Sequence, residues 1–140
     1  MSLSSPNRSR ASRPGKSFSF LVEAGPTASA AARREITMRN GSLPDTITED
    51  VNLLATELVT NAVRYGDVGP QQSVRVDVTQ GPKRVRVEVL DAGTGFEHVP
   101  KRPDDREGGW GLFLVERIAA RWGIRAAAPG KCVWFEIEVR

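Results

Sequence analysis

Cysteine, histidine and tyrosine each occur once in these 140 residues, and no apolar run approaches the length needed to span a membrane. The single thiol, Cys132, excludes an internal disulfide framework and fits a reducing compartment. The N-terminus carries no apolar segment of the signal-peptide kind, so the expected location is the cytoplasm, without membrane attachment. Internal repeats are absent. So are a GxxxxGK[ST] loop and a dinucleotide fingerprint on a strand–helix–strand unit, which excludes the common phosphate-binding folds.

What is present is one globular domain with 39% hydrophobic residues, enough chain for a real core. The net charge of +3 misleads. Arg8, Arg10, Arg13 and Lys16 stand in the first sixteen residues with no acid among them, and without those four charges the rest carries −1. A nearly neutral body that lacks interleaved aromatics gives little support to direct nucleic-acid binding. Residues 1–16, rich in Ser, Pro and Arg, cannot bury enough surface to order themselves, so they read as a disordered basic tail before an ordered domain at 17–140.

Alternation at 17–23 sets Phe18, Phe20 and Val22 against Ser17, Ser19 and Leu21, a strand suited to a sheet edge. Pro26 opens a helix through ASAAARREITMR that stops near Gly41. Its Arg33, Arg34 and Arg39 read most simply as a solvated face. A long helix then starts at Pro44 and Asp45, with Thr48 or Asp45 as candidate cap, and ends at Gly66. Residues 73–79 and 83–90 are strands joined by a turn at Gly81 and Pro82. Their valines alternate with charged residues, so one face of the sheet carries helices and the other meets solvent. After a polar loop, 112–123 reads as a helix with Leu112, Val115, Ile118, Ala119 and Trp122 on one side. Residues 124–128 form a short strand. Gly130 turns the chain into a final strand with Val133, Phe135, Ile137 and Val139 inward. The expected class is α+β, a two-layer sandwich with a mostly antiparallel sheet and helices on one face.

The long helix organises the chain. Val51, Leu54, Ala55, Leu58, Val59, Ala62 and Val63 fall in one arc at 100° per residue, and Glu57 and Asn61 stand one turn apart at its margin. Taken alone, both are also what a half-buried helix places where it meets solvent. As a pair they offer chemistry: a carboxylate can take a proton or orient a nucleophile, and an amide oxygen can ligate Mg²⁺. Two glycine stretches stand with them. DAGTGF brings Asp91, Gly93 and Gly95 straight off a strand end, and GGWG brings Gly109 and Gly111 straight into a helix. Glycine there admits close approach of a ligand to the backbone, and helix-start N–H groups attract phosphate. A strand-end aspartate can accept the exocyclic amine of adenine.

The order and spacing of ELVTNAVRYG, DAGTGF and GGWGLFLV resemble the GHKL (Bergerat-fold) ATP-binding family of gyrase B, histidine kinases and MutL. The resemblance covers about residues 17–140. The short segment between glycine boxes and the ending RWG…KCVWFEIEV look like the anti-sigma-factor serine/threonine kinases and related actinobacterial regulatory proteins. The resemblance implies a Bergerat-type two-layer α/β sandwich with a mixed sheet. It implies ATP and Mg²⁺ as cofactors. Asn61 would hold the metal on the phosphates, Glu57 would be the catalytic base, and Asp91 would read adenine. Gly93 and Gly95 would shape the pocket. Gly109, Gly111 and Leu112 would meet the phosphates, with 96–107 as a lid. It further implies a homodimer with residues 17–23 near the interface, and a sigma factor and an anti-sigma-factor antagonist as partners.

Departures from the family accompany this. Cys132 stands near where relatives carry a threonine supporting the adenine-binding aspartate, so a weaker donor is expected beside Asp91. Tyr65 replaces a frequent histidine. Trp110 between glycines reads as a core anchor, and Arg102, Arg106 and His98 as a solvated loop. No phospho-acceptor dimerisation helix is visible, which argues against histidine autophosphorylation. Two functions compete: a serine/threonine protein kinase that also sequesters a sigma factor, and a nucleotide-dependent partner-switching module with little or no phosphoryl transfer. The glycine boxes serve both. Only Glu57 argues for chemistry.

Overall fold

In the computed structural model, residues 16–39, 43–65, 73–91, 113–126 and 130–139 are described. The elements are β1 (Lys16–Glu23), α1 (Ala28–Arg39), α2 (Asp45–Tyr65), β2 (Ser73–Gln80), β3 (Arg84–Asp91), α3 (residues 113–118), β4 (Arg121–Ala126) and β5 (Lys131–Glu138). The strands form one sheet in the order β1-β2-β3-β5-β4, and all four pairings are antiparallel. The expected α+β class holds, and the mostly antiparallel sheet is antiparallel at each of these pairings.

Alternation decides which residues face the helices. Across neighbouring strands, Phe20 stands opposite Val76, Val76 opposite Val89, and Val89 opposite Val133. Residues directly opposite share a face. Val74, Val76, Val78, Val85, Val87, Val89 and Phe135 are therefore buried together under the helices. From α2, Val51, Leu54, Ala55, Leu58, Val59 and Ala62 complete the core. The arc read from the sequence is the buried face, with Val63 packed at its border. α2 lies chiefly over β3, and α1 packs against α2 and β1.

The helix-free face is polar and tied together. Arg86 pairs with Glu88 and Glu136 at 2.9 Å each, Arg121 with Glu136 at 2.8 Å, and Arg125 with Glu88 at 3.2 Å. The Arg86 guanidinium stacks 4.1 Å from the Trp134 ring. Trp134 in turn lies against Gly123, where a Cβ would come within 2.9 Å of the ring. Only glycine lets the indole lie down on the sheet there.

Two boundaries differ from the sequence reading. The first bond of α2 runs from the Thr48 N–H to the Pro44 carbonyl at 3.0 Å, which makes Pro44 the cap position. Asp45 is the first helical residue, well placed against the positive end of the dipole. The Thr48 hydroxyl donates to the same Pro44 carbonyl at 3.2 Å. The second difference follows 113–118. The helix expected through residue 123 ends at residue 118, and Arg121–Ala126 is strand. Trp122 fits both periods: it is one turn from Ile118 and also alternates with Ile124. Pairing decides it, because Arg121–Ala126 pairs residue for residue with β5 and the Ala120 N–H reaches the Glu136 carbonyl at 2.8 Å. Among the described residues, no helix is long and apolar enough to cross a membrane.

Candidate functional site

The polar residues of α2 divide between two flanks. Asn52 Nδ2 donates to Thr37 Oγ1 at 3.1 Å. Ser29 Oγ donates to the Thr56 carbonyl at 3.3 Å and lies 2.6 Å from Thr60 Oγ1. Asn52, Thr56 and Thr60 thus form one line four residues apart, and α1 covers it. Glu57 and Asn61 are each one residue further round, rotated by about 100° from Thr56 and Thr60. They stand on the flank across the buried arc from α1. Both are half-buried. The side chains that the sequence reading put forward as a pair are therefore the ones that the helix–helix contact leaves unused.

Asp91 is the last residue of β3, the strand that α2 covers. It stands opposite Val74, on the helix-covered face. Its exposure is 6%, so its carboxylate needs a partner. The partner is the backbone N–H of Lys131, which donates to Asp91 Oδ1 at 3.0 Å. One oxygen is thereby anchored, and a carboxylate has further acceptor capacity for a ligand's N–H. Among the described residues no hydrogen bond links Asp91 to Glu57 or Asn61. Glu57 and Asn61 lie on α2, and Asp91 ends the strand that α2 covers.

Cys132 is not the support of Asp91. The register sets it opposite Leu90 on β3 and Arg125 on β4, while Asp91 follows Leu90 on the other face. The thiol lies on the helix-free side, buried near the Arg86, Glu88 and Arg125 lattice. Burial, with the nearby Glu88 charge adding to it, pushes its pKa up to about 11 against the opposing pull of Arg125 and Arg86. The expectation of a weak thiol donor beside Asp91 falls on that parity. The supporting donor is one residue earlier and comes from the backbone.

The sequence reading placed Gly130 as the turn into β5 but missed the Lys131 N–H as the partner of Asp91. Gly130 has φ 94°, a conformation that glycine adopts freely and other residues resist. Matching the inward valines of β3 to Val133, Phe135 and Ile137 would have put Asp91 and Lys131 side by side. Gly93, Gly95, Gly109, Gly111, Leu112, His98, Arg102, Arg106 and Trp110 lie outside the described residues, as does the Tyr65 side chain.

The family model described as a histidine kinase-like ATPase domain matches residues 21–137. The chain belongs to that family, within the GHKL superfamily. No curated protein matches the chain. The match runs from β1 to near the end of β5 and takes in α2 and Asp91. For a histidine kinase-like ATPase domain, the ligand to expect is ATP. An anchored, buried acceptor at Asp91 suits an adenine amine. For Mg²⁺, no cluster of three or more His, Cys, Asp or Glu side chains exists among the described residues. A single amide oxygen at Asn61 fits that ion, which takes one or two protein oxygens and completes its shell with phosphates and water.

Proposed function

We propose that this ATP-binding domain is a regulatory serine/threonine protein kinase of the anti-sigma-factor type. It phosphorylates an antagonist protein and sequesters a sigma factor. The observation that carries the reading is the α2 flank away from α1, where a carboxylate and an amide stand one turn apart with no hydrogen bond to occupy them among the described residues. A helix that needed polar residues only for packing would spend them as α2 spends Asn52 and Thr60.

Asp91 binds the adenine amine, and Asn61 would hold Mg²⁺, whose charge would offset that of the phosphates. Glu57 orients the partner's hydroxyl. The hydroxyl oxygen bonds to the γ-phosphorus while the bond from that phosphorus to the bridging oxygen of ADP breaks. The hydroxyl proton passes to the Glu57 carboxylate and then to solvent. Positioning and charge neutralisation carry most of such a reaction, with the base adding the proton transfer. β1 lies at the sheet edge and carries Leu21 at 65% exposure. An edge strand invites pairing, and a homodimer through it completes the reading.

The test is capture of partners from the native cell extract with and without Mg·ATP, followed by transfer from labelled ATP. Glu57→Gln keeps shape and hydrogen bonding but removes basicity. It should slow transfer by about 10²–10⁴-fold while ATP binding and partner capture persist. A wild-type protein that binds ATP and captures a partner but transfers no phosphate makes it a partner-switching module instead.

A further inference from the structure

We propose that Gly130 is a positioning residue of the nucleotide site, acting on adenine preference through the Lys131 N–H and Asp91. The inference rests on reading Asp91 as the adenine acceptor. The ladder between β3 and β5 ends at Leu90 opposite Cys132. One step further, Asp91 and Lys131 face each other, and the carboxylate takes the Lys131 N–H. On its other side Lys131 pairs with Ala126, where the β4–β5 ladder ends. Lys131 is therefore held in strand geometry between two neighbours, and the chain must turn at the residue before it. Gly130 makes that turn with φ 94°.

The consequence falls on the carboxylate. The terminal torsion of an aspartate is broad and roughly two-fold, so an untethered carboxylate swings between orientations. A donor fixed in a strand stops that motion at one oxygen. The anchored group presents acceptor capacity only, which suits the exocyclic amine of adenine and opposes the carbonyl oxygen that guanine places at the same ring position. A residue that refuses positive φ at position 130 would turn the Lys131 N–H away. The carboxylate would lose its orientation while the sheet, held by the rest of both ladders, stays paired.

The test measures ADP and GDP affinity by calorimetry for wild type, Gly130→Val, Gly130→Asn and Asp91→Asn. Valine is β-branched and strained at positive φ, whereas asparagine tolerates it. Wild type should prefer ADP. Gly130→Val should bind ADP about tenfold more weakly with GDP unchanged, and Gly130→Asn should keep most of the preference. No preference in the wild type overturns the adenine reading itself. A preference abolished by Asp91→Asn but intact in Gly130→Val overturns the role of Gly130 alone. Should Gly130→Val fail to fold, the Lys131 amide resonance decides in the other proteins. It should move upfield in Asp91→Asn, where a neutral acceptor replaces a charged one, and in wild type its hydrogen exchange should slow with ADP and not with GDP. A Lys131 amide indifferent to both overturns the proposal.

Discussion

On the helix-covered face of the sheet, Val74, Val76, Val87, Val89 and Phe135 are buried by other apolar side chains. On the opposite face, Cys132 is also fully buried, yet it lies outside that core cluster and its neighbours include Arg86, Glu88 and Arg125. One face excludes water by packing methyl groups. The other carries a lattice of five charged residues and the flat ring of Trp134. The difference teaches that an antiparallel sheet with helices on one side need not leave the other side open. It also separates tasks: the apolar face carries stability and borders the site, whereas the charged face answers to pH and salt.

The largest break in this comparison comes from the apolar side. Phe135 is fully buried in β5 under the helices. Phe135→Ala removes its burial and leaves a cavity, so chemical denaturation should show a loss of about 3–5 kcal/mol.

The next effect belongs to the charged side. Cys132 has a folded pKa of about 11 against an ordinary 9.0. The fold favours the neutral thiol, so its stabilising contribution is complete below pH 9 and is lost as pH rises toward 11. Two pKa units set an upper limit of about 2.7 kcal/mol on that loss. Denaturation midpoints between pH 8 and pH 11 should fall more steeply for wild type than for Cys132→Ala. Parallel curves would mean that the thiol is not held neutral.

A smaller effect comes from the lattice itself. Burial alone would raise the Glu136 carboxyl, but the hydrogen bonds from Arg121 and Arg86 outweigh it and hold the pKa below the ordinary 4.5. That stability is present above pH 4.5 and is lost as pH falls through the depressed value. Glu136→Gln should cost about 1–2 kcal/mol at neutral pH, between an exposed and a buried pair. The deficit should shrink in high salt and at acid pH. A salt-independent deficit would assign the cost to packing.

How far the sequence carried the reading follows the same division. The valine alternation of β2 and β3, and the arc from Val51 to Ala62, are local periodicities, and each marked its buried face correctly. So did the placing of Glu57 and Asn61 at the margin of that arc. What was not legible depends on pairing between distant strands. Trp122 suited a helix and a strand equally until β5 chose. Cys132 was set beside Asp91 by the resemblance to relatives that carry a threonine near it, and register puts it on the other face. The Lys131 N–H carries no side-chain signature, so a bond made by backbone at a strand end has nothing in composition to announce it.

The proposed function stands on Asp91 as the acceptor for adenine. Calorimetry of ATP and GTP binding to wild type and Asp91→Asn tests it most directly. Asparagine can still accept the Lys131 N–H, so the local fold is kept while the charged acceptor is lost. Wild type should bind ATP and discriminate against GTP. Asp91→Asn should lose about 1.5–3 kcal/mol for ATP, tenfold or more in affinity, with little change for GTP. Equal ATP affinity in the two proteins, or equal ATP and GTP affinity in the wild type, would contradict the account.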